Sequence, residues 1–257
     1  MRKNRVLNLI KCRVIAWLLL FGALPAALHA ACEDPPRPRV NWSNCDKSGQ
    51  DLAGVDLTDA TLTSINLSGA KLDGAQLQRA DLNFSTLEKA SFRATRMEKA
   101  RLLAVQAGQA DFEGANLERA KFGRAKLVQA SFRQARLNNA DFYEARLKRA
   151  DFTAAILIKS GFEQAVLEQT DFSQAVMSGA VLKNATLRDA ILVSARLDKA
   201  ILDESDCRNA DFSRADLTKA SFRDAEIEEA IFHEAILKDT IWSNYRRCRS
   251  SSVGECR

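Results

Sequence analysis

The sequence predicts an all-β solenoid, a chain that turns a corner every five residues and winds around its own apolar axis. Three observations predict it. A large apolar residue recurs at every fifth place, on residues whose numbers end in 2 or 7, from Trp42 to Trp242. A small residue, nearly always Ala from Ala60 to Ala235, stands two places before it. From Phe112 to Phe172 the large residues alternate between Phe and Leu without a break.

The period excludes the regular alternatives. Ala, Leu, Glu, Lys and Arg are abundant and favour helix. Yet five residues advance an α-helix by about 140° beyond a full turn, so successive leucines would share no stripe. On a flat strand a step of five moves the side chain to the opposite face. A chain that bends at each repeat brings every large residue to one axis. These large residues are called centres below. Lys47, Met97, Ala107, Met177, Cys207 and Ile227 stand at centres in place of Leu or Phe. Ala107 is expected to leave a local void or a bend. No linker interrupts the pattern, which predicts one repeat domain over 51–244.

Along the chain, the N-terminus comes first. Arg2, Lys3, Arg5, Lys11 and Arg13 precede an apolar run from Val14 to Leu28, and small residues Ala30 and Ala31 follow. That order is a signal peptide over 1–30, cleaved after Ala30 or Ala31. The run is shorter than the ~20 residues that span a bilayer, so no transmembrane span is expected after its removal. The protein is therefore expected in the periplasm or outside the cell. Lipidation of Cys32 is a minor alternative, because His29 stands where a lipoprotein signal carries an aliphatic residue. Residues 31–50 are expected to form an N-terminal cap and 245–257 a C-terminal cap. Close cysteines in an oxidising compartment tend to bridge. The expected pairs are Cys32 with Cys45 and Cys248 with Cys256, which leaves Cys207 alone.

Segments such as Val55-Asp-Leu-Thr-Asp, Ile65-Asn-Leu-Ser-Gly, Ala80-Asp-Leu-Asn-Phe, Ala115-Asn-Leu-Glu-Arg and Ala215-Asp-Leu-Thr-Lys carry the motif Ala-(Asp/Asn)-Leu-x-x. The chain resembles the pentapeptide-repeat family over about four fifths of its length. The resemblance implies a right-handed quadrilateral parallel β-helix with four pentapeptides per circuit. The residues supply an independent check on four sides. Folded onto 20-residue circuits, Phe122, Phe142 and Phe162 share one wall, and Phe112, Phe132, Phe152 and Phe172 the opposite one. A three-sided coil would mix Phe and Leu on every wall. Glycines at 49, 54, 69, 74, 114 and 179 are expected at corners, where positive φ is cheap.

Little chemistry is visible. His233 is the one histidine outside the signal, and it follows a centre, so it points outward. No Cys-x-x-Cys, His-Glu-x-x-His or phosphate-cradling glycine loop is present. Asp111, Asp141, Asp151, Asp171, Asp211 and Asp216 occupy the repeat's own Asp/Asn slot, and a repeat-structural role is expected of them. Cys207 sits at a centre, as an apolar filler. No catalytic residue, metal or cofactor is expected, and the protein is read as non-enzymatic.

Charge is the informative surface feature. The chain has 38 basic and 33 acidic residues, a net of +5. The five basic residues of the signal account for it, so the remainder is neutral and no nucleic acid is expected as a partner. From 119 to 150 nine basic residues face two acidic ones, and from 201 to 240 eleven acidic face five basic. On four-sided circuits Arg124, Lys126, Arg146, Lys148 and Arg149 gather on one wall and its corner. They are the candidate interaction patch, and Glu226, Glu228, Glu229 and Glu234 fall in the acidic section. The alternative is that these charges only keep a fully exposed rod soluble.

Two functions are weighed. One is an exported scaffold for protein–protein interaction, with an unknown protein partner or a second copy of itself. The other follows from the resemblance, since some pentapeptide-repeat proteins mimic DNA and bind gyrase in the cytoplasm. That role calls for a strongly acidic surface and no export signal, so it ranks second.

Overall fold

The computed structural model describes residues 32–257, so the expected signal peptide lies outside the described residues. A circuit closes every twenty residues. Isolated parallel bridges join each residue before a centre to its counterpart one circuit on, from Asn41↔Thr61 to Ser221↔Ile241. Each circuit has four short walls. The first holds the centres Trp42, Leu62, Leu82 and onward, the second Lys47, Leu67 and Leu87, the third Leu52, Leu72 and Phe92, the fourth Leu57, Leu77 and Met97. The ladder already runs at Asn41, so residues 41–50, assigned to the cap from sequence, form the first two walls.

Backbone groups are shared between circuits and corners. The centre's N–H donates to the carbonyl nineteen residues on, as in Phe132 to Asp151 at 2.6 Å, which ties one circuit to the next. The centre's carbonyl accepts from the N–H three residues later, as in Ala135 to Phe132 at 3.1 Å, which closes the corner. The corner forces the residue two after each centre into the left-handed region, with φ of 58° at Arg79 and 57° at Ala154. The six glycines expected at corners all have positive φ, 65° to 68°. Sequence reasoning missed that most corners carry no glycine. Their residues are Lys, Arg, Gln, Asn, Asp, Glu, Ser, Ala and one Phe, and none is β-branched. A second substituent on Cβ collides with the backbone at positive φ, so Val, Ile and Thr are absent.

The core is two columns of aromatic rings between two columns of aliphatic ones. Phe112 and Phe132 stack at 4.9 Å on the third wall, and Phe122 and Phe142 at 4.9 Å on the first. Rings of the two walls meet edge to face, as in Phe122–Phe132 at 5.7 Å and 89°. Stacked and T-shaped pairs add about 0.5–1.5 kcal/mol each beyond burial. The small residue before each centre is buried at the inner corner. Where it is Ser or Thr, the hydroxyl donates to a carbonyl, as in Ser85 to Leu62 at 2.8 Å and Thr170 to Leu147 at 2.9 Å. Ala107 is fully buried and the bridges run through it at Gln106, so no bend forms there.

Both ends are closed by covalently tied segments. At the start, Cys32 is bonded to Cys45, and Trp42 Nε1 donates to the Asp34 carbonyl at 3.2 Å. Lys47 has no apolar role at its centre. Its ammonium lies 4.5 Å from the Trp42 ring centroid, a cation–π contact at the end of the core. At the finish, Cys248 is bonded to Cys256. That segment pairs antiparallel with the last circuit, Ile236↔Val253 and Ile241↔Arg247. It covers the fourth and first walls, while Ile227 on the second stays only partly buried.

Candidate interaction surface

The carboxylates scanned for chemistry are absorbed by the repeat. In the slot before the centre, an Asp accepts the N–H two residues on, a local bridge that holds the corner. Asp111, Asp141, Asp151, Asp171, Asp211 and Asp216 all do so, at 2.8 to 3.1 Å. The bonds favour the ionised form. The Ser48 N–H holds Asp46 below the usual carboxylate range, and the Thr58 hydroxyl does so for Asp56. At Asp151 burial opposes ionisation, but the Thr153 hydroxyl and N–H together with Arg133 outweigh it. Among the described residues no group of three or more His, Cys, Asp or Glu is arranged to hold a metal. Cys207 is fully buried, its thiol 3.2 Å from the Ser205 hydroxyl, and burial pushes it up to about 12.

The five cations of the candidate patch lie together on the second wall and its edges. Lys126 and Arg146 are bridge partners on successive circuits. The structure also supplies neighbours that a linear reading did not weigh. Arg124 meets Glu144 at 2.6 Å and Lys148 meets Glu168 at 2.7 Å, each one circuit away. Arg149 donates to the Gln169 amide oxygen at 2.8 Å. Only Lys126 and Arg146 of the five have no such partner among the described residues. The signal that would have found these pairs is opposite charge at a spacing of 18 or 20, as in Arg93–Asp111 and Arg79–Asp59. The acidic section is not one cluster. Glu226, Glu228 and Glu229 share the second wall, Glu226 pairing with Arg208 at 2.9 Å, but Glu234 sits a corner away and pairs with Arg214 at 2.8 Å.

Sequence reasoning also missed an apolar strip on the first wall. Phe84, Leu103 and Tyr143 are exposed there, and Leu103 leans over Gly123, where a Cβ would lie 3.3 Å from its methyl group.

The comparison with protein-family profiles agrees with this repeat. The family profile described as pentapeptide repeats matches in eight copies, over residues 39–69, 75–114, 104–134, 115–153, 155–192, 165–203 and 200–239. No curated protein matches. Among solved structures, HetL from the cyanobacterium Nostoc sp. strain PCC 7120, described as involved in heterocyst differentiation regulation, is 25% identical. That match covers 77% of this chain and 92% of HetL at a TM-score of 0.32. Full-length QnrB1, a plasmid-mediated fluoroquinolone resistance protein, is 18% identical over 66% of this chain and 90% of its own, at 0.45. Rfr23 from Cyanothece 51142 is 28% identical over 43% of this chain and 85% of its own, at 0.33.

Proposed function

Because the chain belongs to the pentapeptide-repeat family, whose members fold as right-handed β-helices, we propose that it is a non-enzymatic scaffold, exported and disulfide-closed, that binds another protein along its walls. One observation carries this reading. From Asn41 to Ile241 the ladder is continuous, and its Asp side chains are spent on corners, so the outer walls are what remains to meet other molecules. The middle of the second wall, where Lys126 and Arg146 are free of carboxylates, is the proposed docking face; the unpaired positive charge there steers and orients a complementary partner. A DNA-mimicking surface would need acidic walls throughout, whereas here the acidic stretch is confined to the last circuits.

The test has two arms. Fractionation of the native cells should place a chain lacking residues 1–30 in the periplasm or medium; full-length protein in the cytosol would return the gyrase reading to first place. Affinity capture should then retain a defined partner on the wild type and lose it when Arg146, Lys148 and Arg149 are changed to Glu. Equal capture by both proteins would remove the second wall from consideration.

A further inference from the structure

We propose that the edge between the fourth and first walls binds a linear acidic polysaccharide laid along the rod. The corner residues of that edge are spaced by twenty. Lys99, Arg119, Lys159, Lys199 and Lys219 fall on it, all exposed and all held in the left-handed corner conformation with φ of 56° to 61°. None of the five forms an ion pair with any described residue, while the nearby Arg79 is engaged by Asp59 at 2.6 Å. The neutrality of the chain hides this segregation. On the other three edges, between residues 44 and 239, four cations face six anions: Lys89, Arg124, Arg149 and Arg214 against Glu144, Asp189, Glu204, Asp224, Glu229 and Glu234. Two of those four cations, Arg124 and Arg214, are already paired with a carboxylate. Among its corner residues the fourth–first edge has carboxylates only near its two tips, at Asp59 and Asp239. Glu98, Glu118 and Asp198 flank the row on the fourth wall, where they accept from Asn116, Arg136 and Ser178.

Geometry selects the class of ligand. Bridged circuits stand about 4.8 Å apart, so the five charges form one straight row about 29 Å long, with gaps of one or two circuits. A linear glycan of uronate or sulfated sugars carries a charge on each ring or on alternate rings, and a ring is about as long as a circuit is tall. The edge is convex, so it meets a line better than a plane. It bears no apolar side chain of the kind that anchors a protein at a bilayer interface. It also bears no aromatic side chain on which the bases of a single strand would stack. Both cystines fit an oxidising compartment, where acidic glycans are met.

The edge is separate from the second wall, so its test separates from that of the protein-docking reading. Polygalacturonate and heparin serve as probes, measured by titration calorimetry at low and moderate salt. The wild type should bind, with affinity falling as salt rises, as displaced counterions require. Changing Lys159, Lys199 and Lys219 together to Glu should weaken binding by at least about tenfold, and changing them to Gln by less, in proportion to the charge removed. The second-wall variant, with Arg146, Lys148 and Arg149 changed to Glu, should bind the glycans as the wild type does. The corner substitutions place no new residue in the core, and a thermal melt checks that each variant folds; if the Glu variant does not, the Gln variant decides. No binding to either glycan at low salt would overturn the proposal. So would equal losses in the edge and second-wall variants, or tighter binding to duplex DNA or to phosphatidylglycerol vesicles than to the glycans.

Discussion

A corner residue with φ near +60° and a side chain is under local strain that glycine would relieve. Ala94 is such a residue, exposed and at φ 51°. Ala94→Gly is expected to raise the unfolding free energy by about 0.5–1 kcal/mol, the steric gain outweighing the extra chain entropy. A denaturant melt measures it. Placing Val at Gly54, where φ is +68° with open space around it, should do the reverse through the backbone alone. Cys207 makes a second prediction at this scale. Burial pushes its thiol from the ordinary value near 9.0 up to about 12. The folded state therefore holds its proton more tightly than the unfolded one. The associated stability is complete below pH 9 and is lost as pH rises from there towards 12. A thiol reagent at neutral pH should leave Cys207 unmodified in the native protein and modify it once denatured. Modification of the native protein would show that the interior opens.

At the scale of the element, the wall is held by its column and by its corner. Phe132 is stacked between Phe112 and Phe152 and touches Phe122 and Phe142 edge to face. Phe132→Ala should cost about 3–5 kcal/mol, since the stacked circuits cannot collapse onto the cavity without breaking their ladder. The corners respond to acid. Asp46 and Asp56 are held low by bonds to the Ser48 N–H and Thr58 hydroxyl, and Glu144 and Glu168 by bonds to Arg124 and Lys148. Each depressed group contributes stability that is present above the ordinary carboxylate range near pH 4 and is lost as pH falls through its folded value. Thermal melts at pH 3 and pH 6 should therefore differ in favour of pH 6. Little of that difference should come from the ion pairs, which are largely exposed and screened by salt.

For the whole molecule, stability accumulates from circuit to circuit and the ends are where it frays. The segment tied by Cys248–Cys256 lies antiparallel on Ile236 and Ile241 and keeps the last circuit from pairing with other chains. Changing both cysteines to Ser should lower stability by about 2–3 kcal/mol, as expected of a short closed loop. It should also speed hydrogen exchange in the last circuit before the middle of the rod. Uniform acceleration along the chain would mean that the circuits unfold as one unit and that the cap is no special barrier.

The sequence by itself determined the solenoid, because a five-residue period can bury its large side chains in no regular helix or strand. It determined the inward centres, and the Phe and Leu alternation agreed with the four walls that the family resemblance implied. The structural role of the Asp slot was legible from its place in the family motif, while its task of accepting the N–H two residues on came from the structure. What only the tertiary structure decided was the company each surface charge keeps. Arg124 and Lys148 look like members of a basic run along the chain, yet Glu144 and Glu168 stand beside them one circuit on. Lys99 and Lys219 lie 120 residues apart and still belong to one row. The physical reason is that winding replaces neighbours at a spacing of one with neighbours at a spacing of twenty, and electrostatic contacts follow distance in space.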